Sequence, residues 1–274
     1  MKTVLDNCGQ RVEAVFSEAN ANEIFLPLLR RLGGMQRERG GRVLALLAAP
    51  PGAGKSTLAA FLRKLSLETP GMRPLTVIGM DGFHWRQRYL DSHTVMRDGA
   101  SIPLAAVKGA PESFDLESLS RALKRVAAGE ECRWPVYDRA RHDPVPDALA
   151  VNGDIVLLEG NYLLLDAPGW RELRNFADFS VFIEADPEML RGRLIARHIA
   201  GGKDEAAAAG HVDGSDMRNV RLVLSRALPA DLRLRLRDDD GFDVVTETQK
   251  MGLSHTNLNL NLYNPAASFP PYRR

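Results

Sequence analysis

One stretch of the sequence constrains the fold more than any other, a glycine-rich loop between an apolar run and a helical pattern. The loop covers residues 49–57 and reads Ala-Pro-Pro-Gly-Ala-Gly-Lys-Ser-Thr. The apolar run at 42–48 precedes it, and helical spacing of apolar residues over 58–65 follows it. A strand, a glycine-rich loop and a helix in this order are typical of a phosphate-binding P-loop. The chain is therefore expected to fold as an α/β protein around a phosphate site.

The residue types in this loop suit the phosphates of a nucleotide. Backbone N–H groups turn inward around the phosphate, and the following helix directs the positive end of its dipole at the same anion. Lys55 is expected to reach the β- and γ-phosphates, and Ser56 to offer its hydroxyl to Mg²⁺. Ala49 stands where the usual pattern has its first glycine, and it fits if its φ is negative. The predicted nucleotide contacts are Pro51, Gly52, Ala53, Gly54, Lys55, Ser56 and Thr57.

Composition limits the class of protein. A chain of 274 residues with 45% apolar content suits one large α/β domain or two small ones. The formal charge of +1 gives no overall attraction to nucleic acid or to an anionic membrane. The first residues lack the apolar core of a signal peptide, and no uncharged run approaches the length of a membrane span, so a cytoplasmic protein is expected. Cys8 and Cys132 lie far apart, which indicates neither a disulfide framework nor a zinc site.

Three more apolar segments predict strands of a parallel sheet. They cover residues 75–80, 155–158 and 179–183. Helical patterns lie between them, and such alternation implies a parallel sheet covered by helices on both faces. In an open parallel sheet the ligand lies beyond the carboxyl ends of the strands. The P-loop, Asp81 and Glu159 follow three separate strands and are therefore expected to converge on one site.

Helix boundaries are predicted at two places. One helix covers 116–128, with Asp115 as its N-cap and Gly129 as its stop. Near the amino terminus, apolar residues at helical spacing between Ile24 and Leu32 predict a helix that ends at the following glycine pair, 33–34.

Asp81 is the candidate general base. Transfer of a γ-phosphoryl group requires a metal, positive groups near the developing charge, and a carboxylate aligned with the attacking hydroxyl. Asp81 leaves a buried strand and has Gly82 behind it, so its carboxylate can face that hydroxyl. A simple turn-capping role is the alternative, and the position at a strand end beside a P-loop favours the catalytic role.

Glu159 is the candidate metal acid, because an apolar strand followed by a carboxylate has the form of a Walker B element. A solvated strand end is the alternative. Arg193 and Arg197 lie on one face of a later helix, next to Leu190 and Leu194 on the adjacent face. These arginines could close over a triphosphate as a lid, and a solvated arginine face is an equal alternative.

A second motif imitates a GTPase switch. Residues 163–169 run from three leucines into Asp166, Ala167, Pro168 and Gly169. A GTPase would also need an N-K-x-D element to recognise guanine, and the sequence contains none. The run also follows Glu159 too closely to end an independent strand, so a turn is expected there.

Four motifs together resemble a known family. They are Asp-Gly-Phe-His at 81–84, Lys-Gly-Ala-Pro-Glu-Ser-Phe-Asp at 108–115, Pro-Val-Tyr-Asp at 135–138 and Leu-Glu-Gly at 158–160. Over about residues 28–240 the chain is similar to the pantothenate kinase, uridine kinase and phosphoribulokinase group of P-loop kinases. Its closest likeness is to a pantothenate-kinase-like branch labelled as fructose or sugar-transport kinases. The resemblance implies a three-layer α/β/α P-loop NTPase fold with a mostly parallel sheet, a lid helix and a small acceptor-side insertion.

The resemblance also implies roles for individual residues. It makes Asp81 the catalytic base, Glu159 a metal-site acid, and Lys55 and Ser56 the phosphate and Mg²⁺ ligands, with Arg193 and Arg197 in the lid. On the side of the phosphate acceptor, the expected residues are Asp81, His84, Lys108, Tyr137, Arg139, His142 and Asn161. From the residues alone, an ordinary half-buried aromatic is the favoured role for Tyr137, and Arg139 and His142 fit a solvated hairpin face equally well.

The expected domain organisation follows from these assignments. Residues 1–40 form an N-terminal helical extension, 41–245 the kinase domain, and 246–274 a tail that is either an edge strand or disordered. Within the kinase domain, the acceptor side spans about 82–150 and the lid about 187–215. The stretch 91–107 is polar and is expected to be an irregular insertion loop.

These features predict an ATP- and Mg²⁺-dependent kinase that phosphorylates a hydroxyl of a small polar metabolite. A sugar or polyol is favoured, and a pantothenate-like or nucleoside acceptor stays open. The alternative from another class is a regulatory nucleotide-binding module without kinase activity, which the pairing of Asp81 with Glu159 disfavours. Nucleic-acid and membrane partners are not expected, because the net charge is close to zero. Some members of the resembled group are dimers, so a homodimer is also open.

Overall fold

The computed structural model of the protein describes residues 1–7, 10–97 and 99–245. The strands are β1 (Lys2–Asn7), β2 (Gln10–Val15), β3 (Val43–Ala48), β4 (Leu75–Gly79), β5 (Thr94–Arg97), β6 (Ala100–Pro103), β7 (Cys132–Asp138), β8 (Asp143–Val151), β9 (Ile155–Gly160), β10 (Phe179–Glu184), β11 (Leu232–Leu236) and β12 (Phe242–Val244). The α-helices are α1 (Glu18–Asn20), α2 (Leu26–Arg39), α3 (Lys55–Glu68), α4 (Gln87–Ser92), α5 (Leu116–Ala127), α6 (Pro187–Ala200), α7 (Glu205–His211) and α8 (Met217–Ser225).

The central sheet has the strand order β12-β11-β10-β3-β9-β4. Its strands are parallel except β12, which pairs antiparallel with β11 at the edge. All six residues of β3 are buried, because β3 lies in the middle of the sheet and is covered on both faces. This mostly parallel sheet confirms the predicted α/β class, and each of the strands predicted from an apolar run is present.

Two hydrophobic cores lie on opposite faces of the sheet. Successive side chains of a strand point to opposite faces, so β3 contributes Val43, Ala45 and Leu47 to one core and its other three residues to the second. The first core packs the sheet against α2, α3 and α6, the second packs it against α5, and α8 contributes to both cores. The result is the three-layer α/β/α arrangement that the resemblance implied.

The helix boundaries follow the expected chemistry at α5 and depart from it at α2. Asp115 caps α5 by accepting a hydrogen bond from the backbone N–H of Ser118 at 3.0 Å. The predicted stop of α2 at residues 33–34 is wrong, since the helix continues to Arg39 and ends at Gly40, whose φ is +67°. A helical glycine costs only about 1 kcal/mol, and burial of the leucine face of α2 outweighs that cost.

The N-terminal extension is only partly helical. Residues 2–7 and 10–15 form the antiparallel hairpin of β1 and β2, which the sequence analysis did not predict. The hairpin packs Leu5 into the first core, while Val4 and Val15 remain exposed. A helix then begins after Ser17, whose side chain accepts a hydrogen bond from the N–H of Asn20.

The stretch 91–107 was expected to be irregular, and that expectation is wrong for its described residues. It contains the end of α4, the β5–β6 hairpin and a short 3₁₀ helix, Leu104–Val107. Burial of Leu90, Leu104 and Val107 in a small core of their own explains this order. Leu90 lies far from the other two residues in the sequence, so no single apolar run predicts this core. A second hairpin, β7–β8, follows later in the chain.

The predicted tail at 246–274 lies outside the described residues. Among the helices of the described part, none is long and apolar enough to cross a membrane.

Candidate active site

The P-loop leaves the carboxyl end of β3 and enters α3. Gly52 and Gly54 have φ values of +83° and +76°, a region that favours glycine because a Cβ atom is strained there. Ala49 is buried and is not among the described non-glycine residues with a positive φ, so the negative φ that alanine requires at this position is present.

The N-terminus of α3 is prepared for an anion. Gly54 is the N-cap and supplies no side chain, so the N–H groups of the first turn have no side-chain cap. Lys55 is the first residue of this helix. Unsatisfied N–H groups, the positive end of the dipole and a lysine at one point fit the phosphates of a nucleotide.

Glu159 and Ser56 face each other across the end of the sheet. The hydroxyl of Ser56 donates a hydrogen bond to Oε1 of Glu159 at 2.9 Å. Burial raises the pKa of the Glu159 carboxyl, as does the charge of Asp81, while Lys55 and the Ser56 hydrogen bond oppose the shift. A buried carboxylate beside a hydroxyl offers the oxygen ligands that Mg²⁺ prefers, so this pair fits the metal.

Asp81 lies in a 3₁₀ turn, Met80–Phe83, directly after β4. Parallel pairing places Gly79 opposite Glu159. Asp81 follows Gly79 by two residues, so both acidic residues lie at the same edge of the sheet. At Gly160, an added Cβ would lie 2.6 Å from Cβ of Met80, so the end of β9 closely approaches the turn that carries Asp81.

Gly82 fixes this turn against β7. A Cβ atom at Gly82 would lie 2.1 Å from the carbonyl oxygen of Pro135, a distance that only a glycine permits. The indole Nε1 of Trp134 also donates a hydrogen bond to the carbonyl oxygen of Gly79 at 2.8 Å. The β7–β8 hairpin and the turn of Asp81 are therefore held as one packed unit.

His84 and Tyr137 form an aromatic wall beside Asp81. Their ring centroids lie 5.1 Å apart, and His84 also contacts Phe114 at 3.9 Å. Burial lowers the pKa of His84, an effect that the charge of Asp81 only partly offsets, so the imidazole is neutral at pH 7. Burial and the charge of Asp81 raise the pKa of Tyr137 to about 12, so its phenol keeps its proton.

Lys108 connects this wall to the β7–β8 turn. Its Nζ donates hydrogen bonds to Oε1 of Gln87 at 2.7 Å and to the carbonyl oxygen of His142 at 2.8 Å. The same ammonium lies 5.4 Å from the ring centroid of Tyr137. The N–H of Gln87 donates to Oδ1 of Asp143 at 2.7 Å, which completes the network.

Arg139 and Asn161 provide the remaining polar groups. The charge of Arg139 acts on the pKa values of Glu159, His84 and Tyr137, so its guanidinium lies near the site although its side chain is exposed. The Oδ1 atom of Asn161 is buried and accepts no hydrogen bond from the described residues. A buried acceptor of this kind suits a hydroxyl of a ligand.

The residues predicted for a lid are arranged differently from those predicted for the acceptor side. Leu190 and Leu194 pack α6 against the P-loop, with Cγ of Leu194 only 3.2 Å from a Cβ built at Gly52. Arg193 forms an ion pair with Asp240, and Arg197 is exposed. A role for either arginine at the phosphates stays a prediction.

Some residues around this site were not identified from the sequence. Gln87 and Asp143 hold Lys108 in place, and no local pattern in the sequence marks them. Gly82 was noted only as the residue behind Asp81, although a glycine directly after a strand-end acid was a usable signal of close backbone approach.

Comparison with known proteins gives a consistent result. The model of the family described as PRK, the phosphoribulokinase/uridine kinase family, matches residues 44–209, which is more than half of the chain. An Escherichia coli K12 protein named "Uncharacterized protein YggC" is 39% identical over 240 residues, covering 87% of this chain and 97% of the relative. A pantothenate kinase of Enterococcus faecalis is 29% identical over 213 residues, covering 70% of this chain and 66% of the relative.

A solved structure is similar in both sequence and fold. It is described as a "putative fructose transport system kinase" from Silicibacter sp. TM1040 and is 38% identical to this chain. The alignment covers 70% of this chain and 89% of the other, with a TM-score of 0.63.

Proposed function

Because this chain belongs to the phosphoribulokinase/uridine kinase family, we propose that it transfers the γ-phosphoryl group of ATP to a hydroxyl of a sugar or polyol. It is a small-molecule kinase that uses ATP and Mg²⁺, as its family does. The observation that carries the proposal is the convergence of Ser56, Glu159 and Asp81 at the carboxyl ends of three adjacent strands.

Each residue has a defined task in the proposed reaction. Bound Mg²⁺ would supply positive charge to offset the charge of the phosphates. Ser56 and Glu159 would hold the metal, and Lys55 with the P-loop N–H groups would bind the phosphates. Asp81 would orient the acceptor hydroxyl and take up its proton.

The acceptor side supports a polyhydroxylated molecule. His84 and Tyr137 offer a neutral imidazole and a protonated phenol, which can exchange hydrogen bonds with hydroxyl groups without a change of charge. Lys108 and Arg139 add donors, and Oδ1 of Asn161 adds a free acceptor. This mixture of donors, acceptors and one aromatic wall favours a sugar or polyol over an apolar acceptor.

Two regions of the chain have separate roles in the proposed kinase. Residues of about 82–150 would form the acceptor side, and about 187–215 the lid over the nucleotide. Packing of α6 against Gly52 supports the lid assignment, because any movement of α6 would be felt at the P-loop. Arg193 and Arg197 would reach the phosphates only after Arg193 leaves Asp240.

The test measures ADP release from Mg²⁺-ATP with free sugars, polyols, pantothenate and nucleosides as acceptors. Asp81→Asn removes the base and keeps the size of the side chain, so kcat should fall about 10²–10⁴-fold while nucleotide affinity stays near that of the wild type. Asp154→Asn is the matched control, since Asp154 pairs with Arg73 at an exposed position before β9. Full turnover by Asp81→Asn would refute the assignment of the base, and turnover only with pantothenate or nucleosides would refute the acceptor class.

A further inference from the structure

A cluster of metal-ligating side chains lies in the lid region, apart from the candidate active site. It consists of His198, His211 and Asp216, and one ligand atom from each lies within 4.8 Å of the other two. His198 is in the last turn of α6, His211 ends α7, and Asp216 ends the π-helical turn that follows. Two segments of backbone therefore meet at this point, the end of α6 and the continuous helical segment that carries both His211 and Asp216.

The three side chains already contact one another. Nε2 of His198 and Oδ2 of Asp216 are hydrogen-bonded at 2.8 Å. The imidazole rings of His198 and His211 pack edge to face, with centroids 4.6 Å apart. The side chains of His198 and Asp216 are 19% and 14% exposed, so two of the three groups are largely fixed by their surroundings.

The local backbone brings His211 and Asp216 to the same face. An α-helical turn repeats every 3.6 residues, so positions five apart would diverge in a regular helix. The π-helical turn at Val212–Asp216 widens the spacing, and such turns are rare and frequent at functional sites. The hydrogen bond from His198 to Asp216 then closes the cluster across to α6.

The ligand set favours zinc over magnesium or calcium. Two imidazole nitrogens and one carboxylate oxygen are borderline ligands that suit Zn²⁺, and three protein ligands with a water in the fourth position form a known type of zinc site. Zinc bonds of about 2.0–2.2 Å place neighbouring ligand atoms about 3.3 Å apart in a tetrahedron. The exposed His211 can move by the small distance that this requires.

The charges around the cluster are mixed. Burial lowers the pKa of His211, and the cations Lys203 and Arg197 lower it further, while Asp216 opposes this effect. Lys203 and Arg197 repel a metal ion through long side chains that can turn away, whereas Asp216 is held beside His198.

We propose that His198, His211 and Asp216 form a zinc-binding site that fastens the end of α6 to the segment between α7 and α8. The site is independent of the kinase reaction and stands whether or not the acceptor is a sugar. Zinc would take the place of the hydrogen bond between Nε2 of His198 and Oδ2 of Asp216.

The test is a competition titration of Zn²⁺ between the full chain, without an added histidine tag, and a chromophoric chelator. The wild type should bind one zinc per chain at this site. His211→Gln removes an exposed ligand with little effect on folding and should weaken zinc affinity at least about 10-fold. Even loss of a residue that only hydrogen-bonds to a metal ligand lowers metal affinity by about 10–100-fold. Asp216→Asn is the second ligand variant.

Matched controls separate this site from others. His93→Gln removes an exposed histidine that stacks on Tyr89, far along the chain from the cluster, and should leave zinc affinity unchanged. Addition of Zn²⁺ should also raise the melting temperature of the wild type and not that of His211→Gln. Equal zinc affinity of wild type and His211→Gln would overturn the proposal, as would binding that Glu159→Gln abolishes and His211→Gln preserves, because the metal would then lie at the P-loop.

Discussion

Substitution of Gly82 by alanine tests whether close packing positions Asp81, the proposed catalytic base. Gly82 does not have a positive φ, so alanine is not strained at this position by its backbone conformation. The added Cβ would nevertheless lie 2.1 Å from the carbonyl oxygen and 2.5 Å from the carbonyl carbon of Pro135. Both obstacles are backbone atoms of β7, so neither can move aside by a side-chain rotation.

The size of the effect follows from these distances. Real Cβ contacts are not found below 3.0 Å, so the turn and β7 must separate by about 0.9 Å at this contact. Overpacking of this kind costs about 1–3 kcal/mol of stability. A misplacement of about 1 Å at a reacting group costs about 10²-fold in rate. Gly82→Ala should therefore lower kcat about 100-fold through Asp81, which is its neighbour in the chain.

The assay compares kcat, the dissociation constant of ATP and the free energy of unfolding. The P-loop lies on β3, and the substitution does not touch it, so ATP affinity should stay within about 3-fold of the wild type. The matched control is Gly34→Ala in α2, where the nearest atom is a flexible guanidinium nitrogen of Arg37 at 3.9 Å. That control should gain about 0.5–1 kcal/mol of stability and keep full activity. A Gly82→Ala enzyme with wild-type kcat would refute the reasoning.

Two further predictions concern buried polar groups. Glu159→Gln should stabilise the nucleotide-free protein at pH 7, because the raised pKa of Glu159 means that ionisation is unfavourable in the folded state. This gain in stability should vanish below about pH 4.5, where Glu159 is protonated in both the folded and the unfolded state. Mg²⁺-dependent turnover should be lost. Urea denaturation across pH measures the first effect, and an equal or greater gain at pH 4 would contradict it. Asn20→Ala should lower the free energy of unfolding by about 2–4 kcal/mol, because the buried side chain of Asn20 exchanges hydrogen bonds of 2.7 and 2.8 Å with the backbone N–H and C=O of Phe242, which would lose their partner. Thermal unfolding measures this loss, and kcat per folded molecule should not change. An unchanged melting temperature would refute the prediction.

The P-loop, the strands and the α5 cap were predictable because their signals are local. An apolar run of six residues between turn residues has few alternatives to a buried strand, as β3 and β9 illustrate. Asp115 caps its helix through an atom only three residues away. The convergence of the P-loop, Asp81 and Glu159 was also predictable, since parallel strands end at one edge of a sheet.

Local signals failed where distant packing decided the outcome. The glycine pair at 33–34 predicted the end of a helix, but contacts of the α2 leucines with the first core carry the helix past it. The hairpin β5–β6 was missed because each of its strands has only four residues, and the apolar residues that order this region are spread over 90–107.

A P-loop at the end of a strand and two carboxylates at the same edge of the sheet could be recognised from local sequence patterns. The surroundings of those carboxylates depend on tertiary packing. The contact of Gly82 with Pro135 joins residues 53 positions apart, and the bond of Ser56 to Glu159 joins residues 103 positions apart. Such pairs have no mark in the local pattern, because their energy depends on shape and burial that exist only after the layers of the fold have packed.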